Sequence, residues 1–148
     1  MIRTEMSTVI RRARSEVFAY IADFENLPAY DRWVMAVKRT SSGPIGKGST
    51  WTHERTQGPQ KIVAPIELVE FDAPKRFVMA SGAAGFEVRS TMTFEDDGDG
   101  ATKVTEVLEM KTKGLTRLFE PFIRRQVPRQ GAEVHQKMKQ VIERLPKH

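Results

Sequence analysis

Apolar and polar residues alternate over residues 4–11, around Met6, Thr8 and Ile10, with the period of a half-buried strand. After Ser15, a short polar side chain suited to an N-cap, Val17, Phe18 and Ile21 fall on one helical face. Asp23 and Asn26 can cap or turn the chain, and Leu27-Pro28-Ala29-Tyr30 fits a brief second helix ending near Asp31. The texture then changes. Between residues 33 and 112, β-branched and aromatic runs are separated by turn signals: Ser42-Gly43-Pro44, Gly46-Lys47-Gly48, Gln57-Gly58-Pro59, Asp72-Ala73-Pro74, Gly82-Ala83-Ala84-Gly85 and Asp96-Asp97-Gly98-Asp99-Gly100. They delimit six strands, at about 34–40, 49–56, 61–71, 76–81, 86–95 and 102–113. Connections this short join antiparallel neighbours, because parallel pairs need long crossovers. In the tail, apolar positions from Leu115, Leu118, Phe119 and Phe122 through Val134 and Met138 to Ile142 recur mostly at three- and four-residue steps. Arg124, Arg125, Arg129, Lys137, Lys139 and Arg144 fill much of the remainder. This is an amphipathic helix, kinked or interrupted at Pro121 and Pro128, and it is the element available to cover the sheet. The pattern predicts an α+β fold: a seven-stranded curved antiparallel sheet, two short helices and a long C-terminal helix.

Composition narrows the chemistry. The 148 residues suit one domain spanning 1–148, with 39% hydrophobic and 29% charged residues, an ordinary balance for a globular protein. The absence of cysteine excludes disulfides, thiolate metal sites and cysteine nucleophiles, and fits a reducing compartment. No apolar signal core opens the chain and no run of about 18 apolar residues occurs, so a cytoplasmic location is expected. The net charge of +5 is uneven: residues 111–148 hold ten Lys/Arg against three Asp/Glu. That excess reads first as a solvated helix face, and secondly as a surface for peripheral membrane contact or a partner; no nucleic-acid partner is expected. His53, His135 and His148 stand far apart without metal-ligand spacing, so no metal site is expected, and nothing points to a cofactor.

The order of elements resembles the START-like or SRPBCC superfamily, which includes the polyketide cyclase/dehydrase and lipid-transport family. Five segments carry the resemblance: Arg14-Ser15-Glu16-Val17-Phe18-Ala19-Tyr20-Ile21-Ala22-Asp23 with Asn26-Leu27-Pro28; Gly46-Lys47-Gly48-Ser49-Thr50-Trp51; Glu70-Phe71-Asp72-Ala73-Pro74-Lys75-Arg76-Phe77; Gly100-Ala101-Thr102-Lys103-Val104-Thr105; and Lys139-Gln140-Val141-Ile142-Glu143. The resemblance implies a helix-grip fold with a cavity between helix and sheet. It leaves function open among carriers, cyclases and dehydratases, since one fold hosts many chemistries.

Candidate site residues follow from strand alternation. Trp51, His53 and Arg55 share one face, and burying Trp51 turns the other two toward the cavity. A histidine titrating near neutrality could serve as general base in a ring closure or dehydration, with Arg55 holding a carboxylate or developing enolate. The plainer alternative is a structural His53 and a solvent-facing Arg55. Tyr30 could donate to a ligand carbonyl and Trp33 could form an apolar wall. Glu106 shares a face with Val104, Leu108 and Met110; inward, it would be a carboxylate raised by burial, and the plainer alternative sets it near an open end or pairs it with a cation such as Arg89. Met79, Met92, Met110 and Met138 are expected inward, as adaptable thioethers at a ligand or as ordinary core fillers, and Phe122 of the tail as part of the same ligand surface. The expected function is binding or transport of a hydrophobic small molecule, a lipid, isoprenoid or polyketide-like aromatic. The alternatives are a cofactor-free cyclase/dehydratase, or an interaction module docking through the basic helix. A homodimer through the sheet face or the helix is compatible with the sequence.

Overall fold

The structure is a computed structural model that describes residues 1–57, 59–83 and 85–146; Gly58 and Ala84 of the turn signals, and His148, lie outside the described residues. Strand β1 (Ile2–Ile10) leads into helix α1 (Arg14–Ala22) and a 3-10 helix (Phe24–Ala29). Strands β2 (Val34–Arg39), β3 (Thr50–Gln57), β4 (Gln60–Asp72), β5 (Arg76–Ala83), β6 (Phe86–Asp96) and β7 (Thr102–Thr112) follow as a meander. A second 3-10 helix (Gly114–Phe119) then opens into α2 (Glu120–Glu143). The seven strands form one antiparallel sheet in the order β1-β7-β6-β5-β4-β3-β2, so β1 returns beside the last strand of the meander. Among the described residues no helix is long and apolar enough to cross a membrane.

The helix starts differ from expectation at one point. Ser15 does not cap α1: the N-cap is Ala13, and its side chain makes no cap hydrogen bond. Arg12 secures that corner instead. Buried, it pairs with Glu16 and donates to the main-chain carbonyls of Glu143 (3.1 Å) and Leu145 at the C-terminal end of α2. A cation on those free carbonyls satisfies acceptors that the helix itself cannot. The next helix is capped as its sequence suggests, with the Asp23 carboxylate accepting from the Glu25 N–H at 3.2 Å.

Aromatic side chains fill one end of the sheet's concave face. Phe18 of α1 meets Phe71, Phe77 and Phe94 edge-on at 5.3, 5.7 and 5.0 Å, and Phe24 meets Trp51 and Phe77 at 5.0 and 5.7 Å. Over the other end lies α2, unbroken through Pro128, with Pro121 in its first turn where a missing N–H costs little. Gly131 lets the helix close onto β1: a Cβ there would stand 3.0 Å from Cε of Met6.

The tail corrects one expectation. Leu115, Leu118, Phe119 and Phe122 do not cover the sheet; they are 80%, 75%, 63% and 66% exposed. Residues 114–119 form a 3-10 helix rather than a continuation of α2, and three residues per turn carry the stripe off the buried face. The buried face of α2 runs instead through Ile123, His135, Met138 and Ile142.

Candidate functional site

Aromatic packing stops short of the far end of the concave face, and α2 spans what is left as a roof. The result is a cavity of about 260 Å³. Ile66, Met79, Phe86, Val88, Leu108 and Met110 from the sheet and Ile123, Val127, Val134 and Met138 from α2 give it an apolar body. Tyr30, Asp31, His53, Arg55, Ser90, Glu106 and His135 supply polar groups.

Strand β3 alternates as expected, and Trp51, His53 and Arg55 pair with Ile66, Ala64 and Ile62 of β4 in unbroken register. Their surroundings differ. Trp51 is fully inaccessible beneath Phe24 and lies in the core rather than on the cavity wall, because the first 3-10 helix packs over it. His53 and Arg55 do line the cavity, as do Tyr30, Trp33, Met79, Met92, Glu106, Met110 and Met138. Phe122 does not; about 100° round the helix from the inward Ile123, it points to solvent.

His53 is 7% exposed, and its Nε2 lies 3.5 Å from the Ser81 hydroxyl. That hydroxyl donates to the Pro65 carbonyl at 2.6 Å, so toward His53 it can only accept. Nδ1 is buried with no partner among the described residues. Burial, and next the Arg55 charge, push the imidazole down to about 4. The expectation of a base poised near neutrality is therefore corrected: His53 is neutral at physiological pH and a weak base. The linkage sign is definite. The unfolded state takes up this proton near pH 6.5 and the folded state only near 4, so stability falls as pH drops through that window. One proton sets a ceiling of about 1.4 kcal/mol per pH unit, reduced by residual solvent around the ring. Thermal melts of the wild type and His53→Gln between pH 7 and 4 are expected to diverge at the acid end, the variant losing less.

Asp31 is buried in the cavity wall, and its Oδ1 accepts from the Trp33 N–H at 3.1 Å. Burial raises its carboxyl, against the pull of the Arg55 charge. Burial first, then the neighbouring Tyr20 and Asp31, also raise Tyr30, so that hydroxyl keeps its proton and remains a donor. Arg32 stays outside: its guanidinium stacks 4.5 Å from the centre of the Trp33 ring and pairs with Glu133 of α2 at 2.8 Å.

One functional group was missed from the sequence. His135, 4% exposed on α2, brings Nε2 to 2.8 Å from Glu106 Oε1 and Nδ1 to 2.8 Å from the Thr8 hydroxyl. Ser90 donates to the other Glu106 oxygen at 2.6 Å. Side chains from β1, β6, β7 and α2 thus join in one chain across the cavity wall. Its sequence signal was a polar residue in the apolar stripe, three before Met138 and seven before Ile142. Burial pushes Glu106 up, but donation from His135, its charge, and donation from Ser90 outweigh that, and the carboxyl lies below its ordinary value. The expectation of a raised carboxyl is corrected, and the pairing is found with His135 in place of Arg89. Arg89, one residue out of phase with the inward Ser90, pairs with Glu70 at 3.2 Å instead.

Solved structures share the architecture. A START superfamily protein from Mycobacterium smegmatis superposes with a TM-score of 0.80 at 11% identity, over 97% of this chain and 99% of that one. The Zhui aromatase/cyclase from Streptomyces sp. R1128 gives 0.79 at 9%, over 96% and 93%. The protein TTHA0849 from Thermus thermophilus gives 0.76 at 14%, over 95% and 96%. At these identities the likeness shows the fold alone. No curated protein sequence matches the chain. The family model described as polyketide cyclase / dehydrase and lipid transport matches residues 1–143. From β1 to the last turn of α2, then, this chain belongs to the polyketide cyclase/dehydrase and lipid transport family.

Proposed function

We propose that the protein binds a small apolar molecule carrying one polar end, with the body held under α2 and the polar end met by Tyr30, His53 and Arg55. The observation that carries this reading is the cavity itself: an unfilled space of about 260 Å³ with an apolar body and a few converging polar groups. A dry apolar cavity of about 150 Å³ accepts benzene, so this one suits a two-ring system or a single medium-length chain rather than a whole two-tailed lipid. Tyr30 offers a proton and Arg55 a fixed positive charge, a set that fits a carbonyl, hydroxyl or carboxylate.

The test is fluorescence titration with N-phenyl-1-naphthylamine, followed by displacement with decanol and decanoate. Saturable binding is expected, with at least a tenfold loss in Leu108→Trp, whose indole would occupy the cavity. A well-folded wild type that binds none of the three would refute the reading. A second reading, cofactor-free cyclisation or dehydration, draws support from Asp31, a buried, raised carboxyl facing the charge of Arg55. Chemistry distinguishes the two: a carrier returns a β-keto aromatic precursor unchanged, whereas an enzyme returns a ring-closed or dehydrated product.

A further inference from the structure

The apolar stripe that α2 does not bury lies on the outer side of the cavity wall. Leu115, Leu118, Phe119 and Phe122 are 63–80% exposed on the second 3-10 helix and the first turn of α2. From the same stretch, Thr116, Ile123, Gln126 and Val127 turn inward and line the cavity. Four large apolar side chains grouped on one segment of a water-exposed surface mark a contact site rather than scattered exposure.

Charge identifies what they contact. Residues 111–129 carry six Lys/Arg against the single acid Glu120. Among the described residues Arg117, Arg125 and Arg129 make no ion pair, and all three are exposed. Leu and Phe flanked by unpaired arginines fit an interfacial segment whose apolar groups enter the acyl boundary while its cations meet anionic headgroups. A second copy of the chain fits poorly, because a two-fold contact through this patch would bring like charges together.

We propose that the 3-10 helix and the opening turn of α2 form a docking surface for an anionic phospholipid bilayer, setting the cavity wall against the membrane so that an apolar ligand passes between the two. The docking itself is independent of the cavity; its role in ligand exchange rests on the binding function proposed above.

The experiment is flotation of the full chain with vesicles of equimolar phosphatidylcholine and phosphatidylglycerol, and with vesicles of phosphatidylcholine alone. The protein is expected to float with the anionic vesicles and to be released by salt. Leu118→Ser/Phe119→Ser/Phe122→Ser and Arg117→Gln/Arg125→Gln/Arg129→Gln are each expected to lower partitioning at least tenfold. Because these side chains are exposed and outside the cavity, both variants should keep wild-type melting and N-phenyl-1-naphthylamine binding, which separates failure of docking from failure of the cavity. Equal partitioning of wild type and variants, or no flotation of the wild type, would overturn the proposal. So would a wild-type dimer in sedimentation that the serine variant turns into a monomer.

Discussion

Phe77→Ala is expected to destabilise the protein by about 3–5 kcal/mol, the cost of emptying a fully packed aromatic site. Phe77 is 1% exposed at the junction of the two halves of the concave face. It touches Phe18 and Phe24 at 5.7 Å and Phe94 at 5.8 Å, so its loss unpins α1 and the first 3-10 helix together. It also borders the cavity, and the variant should bind N-phenyl-1-naphthylamine in an enlarged site if it folds. Urea denaturation measures the energy. For a domain of this size the midpoint of thermal unfolding should fall by roughly 10 °C or more. A loss below about 1 kcal/mol would mean that the aromatic cluster is looser than its geometry indicates.

The second large effect concerns Glu106. Replacing it with leucine leaves His135 and Ser90 without their acceptor in a mostly buried wall, and truncating one partner of such a pair typically costs about 3–5 kcal/mol. The Glu106 side chain keeps 24% exposure toward the cavity, so about 2–4 kcal/mol is expected. Glu106→Leu/His135→Leu should recover most of that, since an apolar pair needs no acceptor. The pH dependence has a fixed sign. A carboxyl held below its ordinary value stabilises the fold above the unfolded value, about 4.3, and loses that contribution as pH falls through its lower folded value. The gap between wild type and Glu106→Leu is therefore full at neutral pH and closes in acid.

How far the sequence could be read depended on the range of the physics involved. Strand boundaries came within about two residues for most of the meander, because turn residues such as Gly43, Gly48 and Gly100 act locally through their positive φ. The inward phase of His53 depended on register, and the register of β3 against β4 is unbroken; the irregularities fall at Val34/Ala36 and Leu68/Glu70 instead. Non-local packing was not legible. Nothing near Trp51 announces that Phe24 will cover it, and nothing near Glu106 names His135, 29 residues away, as its partner. The stripe through Leu115 and Phe122 misled for a related reason: periodicity tells which residues share a face, but not which face meets the sheet.

Arg12 gives the long helix two unequal ends. Its guanidinium, with the Arg11 N–H donating to Glu143 at 2.8 Å and Lys139 holding the Val9 carbonyl, fastens the last turns of α2 to the end of β1. At the other end Glu120 pairs with the chain's own amino terminus and accepts from the Thr112 hydroxyl, both at 3.4 Å, Arg124 donates to the Met1 carbonyl at 3.5 Å, and Ile123 is buried. The short bonds therefore gather where α2 meets β1 and the approach to α1, and the longer ones where it meets the amino terminus, so the roof is fastened unequally along its length.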